Sequence, residues 1–191
     1  MASTAAPYGA RPIGCLSSAG SFTGKTRLIK IASGYDTALF YGDFVKLVAA
    51  GVVEKDTGTT SLTPVGVFLG CFYTDVDGEP KFDRAWPADQ VASDAVAYVL
   101  DDPDVLMQMQ SDEAIAQAAL GSNFAVVQTA GSTIIKTSKN AVDGGSTATT
   151  NTLPLRLVDF VDGPDSIVGD AFTDVIVKFN VGHQYLTTTG V

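Results

Sequence analysis

One histidine, one tryptophan and two cysteines stand among 191 residues, and each scarcity closes a class of chemistry. A single histidine, His183, excludes a multi-histidine metal centre within the chain. A Ser-His-Asp triad would have to rest on that residue, in the stretch NVGHQYLTTTGV, and no Gly-x-Ser-x-Gly elbow accompanies it. Cys15 and Cys71 are too few and too far apart for a zinc ribbon or a redox CxxC pair, and read as free thiols. Basic charge is also short, with 12 Lys and Arg against 21 Asp and Glu, a net charge of −9 and a pI near 4.3. Scattered cations on an acidic chain argue against a surface that tracks phosphates, so no nucleic-acid partner is expected. No run of about 18 apolar residues is present, and MASTAAPYGARPIGC lacks the charged start and apolar core of a signal peptide. The expectation is a soluble chain made in the cytoplasm, with no membrane partner.

What the chain does contain is alternation. In Leu153–Leu157 the leucines at 153, 155 and 157 oppose Arg156, and Val175, Val177 and Phe179 oppose Asp174 and Lys178. A period of two belongs to half-buried strands and requires a sheet to bury it. Further strands are expected at 27–32, 37–40, 44–49, 65–73, 95–100, 105–110, 124–128 and 132–137, punctuated by Gly, Pro and Asp turns. One helix is expected after Ser111 as cap, running through Ala114–Leu120 to Gly121. Residues 139–152, KNAVDGGSTATTNT, read as an exposed loop. The predicted architecture is all-β: one β-sandwich or β-barrel domain over 25–191, with a short helix and an extended N-terminal arm over 1–24. That arm carries Tyr8, Arg11, Pro12, Ile13 and Phe22, anchors that suit either a neighbouring subunit or the arm's own domain.

Near-motifs are present and fall short. Gly24-Lys25-Thr26 ends like a phosphate loop, but Ala19 stands where the first glycine belongs, and RLIK alternates like a strand. Asp75-Val76-Asp77-Gly78-Glu79 lacks the third ligand and distal Glu of a calcium loop. Asp101, Asp102 and Asp104, and Asp162, Asp165 and Asp170, read as solvated turn carboxylates. No catalytic residue, cofactor or metal ligand is assigned. Trp86, in the loop-like DRAWPADQ, suits two roles: an anchor for a partner, or a plug in its own core.

Five blocks carry a likeness spread along the chain: YGARPIG at 8–14, TGKTRLIKIASGYDTALFYGD at 23–43, YVLDDPDVLMQMQ at 98–110, LPLRLVDFVDGPDSIVGDAFTDVIVKFN at 153–180, and HQYLTTTGV at the end. In these the chain resembles the small cement, or decoration, proteins of tailed bacteriophage heads. The resemblance implies an all-β virion protein on the outer capsid surface, bridging major capsid protein subunits, and a homo-oligomer with a trimer favoured. It implies no enzyme. Tyr8, Arg11, Pro12, Ile13, Phe22 and Trp86 are the candidate contacts with the shell. Another virion component (shell subunit, tail or fibre) is the alternative, followed by a β-domain enzyme or ligand-binding protein.

Overall fold

The computed structural model describes residues 3–16, 24–161, 163–187 and 190. Within them run β1 (Arg11–Cys15), β2 (Arg27–Lys30), β3 (Leu39–Phe40), β4 (Phe44–Leu47), β5 (Val53–Lys55), β6 (Gly66–Thr74), β7 (Pro80–Asp83), β8 (Ala85–Trp86), β9 (Val96–Leu100), β10 (Val105–Gln110), β11 (Asn123–Val127), β12 (Ala141–Ala148), β13 (Leu155–Phe160) and β14 (Asp174–Phe179). Every pairing between these strands is antiparallel, and the isolated bridges Ile31–Val53, Tyr41–Thr137 and Ser111–Val142 are parallel. One six-stranded sheet has the order β1-β10-β14-β13-β11-β12. The second has the order β2-β9-β6-β4-β5 with β7 added to β6, and β3 pairs with β8 in a short ribbon. The sheets do not close into a barrel, so the architecture is a β-sandwich.

Alternation explains how the layers meet. Val105, Met107 and Met109 of β10, Leu155 and Leu157 of β13, and Val175, Val177 and Phe179 of β14 all point into one core. Phe44, Val67 and Leu100 face them from the second sheet. The opposite face of that second sheet builds another core from Ile29, Val45, Phe68, Ala97 and Val99, closed by Leu39 and Trp86 of the ribbon. Apolar residues on both faces make β6 read as a nearly continuous run, VFLGCFY.

Three expectations are corrected. In place of the helix there is a single 3-10 turn, Gln117–Ala119. Ser111 N and Asp112 N donate to Thr173 O and Val142 O, and Ile115 drops into the core, so tertiary hydrogen bonds and burial outcompete a helix too short to stand alone. Residues 139–152 contain β12 and are no loop. Their small residues permit close packing, since a Cβ on Gly144 would lie 3.1 Å from Glu113 Cβ. Residues 132–137 form a turn closed by a Ser132–Thr137 bridge, with Lys136 at φ 56°.

Candidate interaction surfaces

The N-terminal residues are built into their own domain. β1 pairs with β10 as the outermost strand of its sheet, Ala10 is fully buried, and Gly9 N donates to Asn140 O at 3.2 Å. Further upstream, the Gln110 side chain accepts from Ala6 N at 2.7 Å and donates to Thr4 O at 3.1 Å. Tyr8 is half-buried beneath the Arg11 guanidinium, 4.6 Å from its ring, and donates to Asp174 Oδ1 at 3.0 Å. Burial, then the Asp174 charge, push the Tyr8 hydroxyl pKa far up. Pro12 lies at a bulge, and its missing N–H costs nothing on an outer strand. Of these candidates Arg11 and Ile13 remain exposed, Ile13 at 40%. Phe22 lies outside the described residues.

Trp86 is a correction. It has no exposed surface, stacks edge-on to Tyr73 at 5.3 Å and donates through Nε1 to Tyr35 O at 3.4 Å. Its register opposite Leu39 turns the indole into the second core, where it holds the ribbon down as a plug in its own domain.

The acids are spent on turns and local pairs. Asp75 Oδ1 accepts from Asp77 N and Glu79 N, closing the β6–β7 hairpin. Asp101 pairs with Arg27, Asp102 accepts from Asp104 N at 2.9 Å, and Asp170 accepts from Ile167 N at 3.2 Å. Among the described residues no three His, Cys, Asp or Glu side chains are grouped to hold a metal. Lys25 leads into β2, a strand, which removes the phosphate-loop geometry. Both cysteines are free, and burial pushes the Cys71 thiol up to about 12. His183 is buried against Phe179, with ring centroids 5.2 Å apart, and burial lowers its pKa.

The surface that stands out is apolar. Cross-strand register aligns Lys30, Val96, Phe72 and Phe82 in one row across β2, β9, β6 and β7, with Leu28 and Tyr98 beside them. This is the same face of the second sheet that buries Leu100 and Val67 further along, where the first sheet covers it. Beyond that cover, among the described residues, the face is open to water at Leu28 and Phe82 and half-buried at Phe72, Val96 and Tyr98. Phe82 is 74% and Leu28 59% exposed, and the Phe72 and Phe82 rings touch at 4.7 Å. Lys30 and, at the corner, Asp94 bonded to Thr74 are its charges. A second apolar feature is the 132–137 turn, which carries Ile134 at 91% and Ile135 at 62% exposure. Sequence reasoning missed both. Strands with apolar residues on two faces do not reveal which end of a face a second layer will leave open, and Ile134-Ile135 mimics a buried strand.

No protein-family model, no curated protein and no solved structure matches the chain.

Proposed function

We propose that this chain is a cement protein of a tailed-phage head, binding the outer surface of an icosahedral capsid and bridging neighbouring major capsid protein subunits. The observation that carries the reading is the four-stranded apolar face on which Leu28 and Phe82 are exposed and Val96, Tyr98 and Phe72 are half-buried. Contiguous exposed apolar surface of this kind marks a protein contact. The sequence blocks from Tyr8 to the terminal HQYLTTTGV support the same reading.

Magnitudes fit a lattice partner. With aromatic side chains of about 150–250 Å² each, the face offers on the order of 400 Å². A stable pairwise interface buries roughly 800 Å² per partner. A face of half that size binds weakly alone, but a protein held by several patches on a repeating shell gains effective concentration from each contact already made. Pressure from packaged DNA opens a shell where subunits part, and a bridge across that joint resists it. The outward acidic charge keeps particles dispersed.

The test uses purified capsids stripped of this protein. Wild-type chain should co-sediment with them and raise their rupture temperature on heating. Phe82→Glu with Leu28→Glu should weaken binding by about tenfold or more while leaving the chain's own melting unchanged, because both side chains already face water. Failure of wild-type protein to bind the shells, or an unchanged rupture temperature, sinks the reading.

A further inference from the structure

The turn at 132–137 is held at both roots. Ser132 N donates to Thr137 O at 2.9 Å, Ser138 N to Tyr41 O at 2.9 Å, and the Lys136 ammonium pairs with Asp83. Gly131 lies flat against Phe40, where a Cβ would approach the ring to 2.3 Å. A turn so fixed presents Ile134 and Ile135 as a preformed apolar knob, and ordering it on contact costs little. Its collar is cationic in an acidic molecule. Lys136 and Lys139 are exposed, and Arg84 lies over the Tyr41 ring at 4.6 Å, against the single carboxylate of Asp83.

At the far end of the β6–β7 hairpin is the complement. A recess of about 610 Å³ is lined by Val76, Val91 and Ala92, with Asp75 and Asp94 on its rim. Val76 is 81% and Val91 63% exposed, so these two side chains of the lining face water. Backbone N–H donors of Glu79 to Asp75, and the Thr74 hydroxyl and N–H to Asp94, hold both rim carboxylates below the usual range, and Asp75 is also paired with Lys81 Nζ at 3.2 Å.

We propose that the Ile134–Ile135 knob of one copy docks into the Val76–Val91 recess of a second copy, with Arg84 and Lys139 of the collar meeting Asp94 of the rim. Each molecule carries one knob, at 132–137, and one recess, at 74–76 and 91–94, and a knob of one copy seated in the recess of the next leads to a ring or a chain of copies. Charge complementarity selects a second copy. Two molecules of net charge −9 repel in most orientations, and this one places cations against a carboxylate. The contact does not depend on the capsid reading and is tested without capsids.

Light scattering over a concentration series of the full chain should show mass rising above that of a monomer. Ile134→Glu with Ile135→Glu, and separately Val91→Glu, should each weaken association by about tenfold or more. All the substituted side chains face water, so the variants should melt with the wild type, and near-ultraviolet dichroism verifies their fold. Mixing the two variants should restore a two-copy species and nothing larger, because one intact knob meets one intact recess. A monomeric wild type, a mixture that stays monomeric, or association that survives both variants but is lost with Phe82→Glu would overturn the assignment.

Discussion

At the scale of single residues, the most consequential side chain is Asp43, which ends the 23–43 block but was given no role by the sequence. It is fully buried, and its Oδ1 accepts from Ser138 Oγ at 2.7 Å and Asn140 Nδ2 at 3.3 Å. Oδ2 accepts from Phe40 N at 2.9 Å and pairs with Lys55 Nζ at 3.1 Å. One carboxylate thus ties the ribbon, β5 and the segment leading into β12 together. Gly9 lies against this node at φ 75°, where a Cβ would come within 2.4 Å of Ser138 Cβ. Asp43→Ala should cost about 3–5 kcal/mol, because it strands the Lys55 charge and three buried donors. Urea unfolding of the two proteins measures it, and a loss below about 1 kcal/mol would show that the node is dispensable.

At the scale of elements, β1 carries a lesson about the arm. Deleting residues 1–16 removes the outermost strand, uncovers the β10 edge beside Met107 and takes Ala10 from the core. The truncated chain should melt on the order of 10 °C lower, since about 3 kcal/mol or more of pairing and burial is lost and each kcal/mol shifts a domain of this size by about 2–4 °C. Unchanged melting would show β1 to be an appendage. Loss of capsid binding on such a truncation would therefore report a damaged sheet, and Arg11 and Ile13 are tested by point substitution. The strands legible in the sequence, β10, β13 and β14, are long, alternate cleanly and have one buried face. β5 and β8 span three and two residues and exist because a neighbour offers hydrogen bonds, so no local period announces them, whereas β3 falls within the strand expected at 37–40. β12 was hidden by Gly144-Gly145, which are turn residues by composition and tight-packing residues in place.

At the scale of the whole molecule, the two cores share one sheet. Phe44, Val67 and Leu100 look one way from it, while Val45, Phe68 and Val99 look the other. Neither core survives loss of that sheet, so the chain should unfold in a single transition. Trp86, the lone tryptophan, reports the second core by fluorescence, and far-ultraviolet dichroism reports all strands. The two curves in urea should coincide, and a displaced fluorescence midpoint would show the cores to be separate cooperative units. The apolar face of Phe72 and Phe82 belongs to this scale too. It exists because the second sheet extends beyond the first, an offset between layers that no residue encodes by itself.

The sequence by itself determined the all-β class, the phases of β10, β13 and β14, the free thiols and the turn character of the acids, because each follows from local period or side-chain chemistry. Tertiary structure alone decided that Trp86 is interior, that β1 pairs with β10, that the 111–121 segment is no helix and that Leu28 and Phe82 meet water. Those outcomes depend on which layer lies over which, and burial is a property of pairs of surfaces brought together from distant parts of the chain.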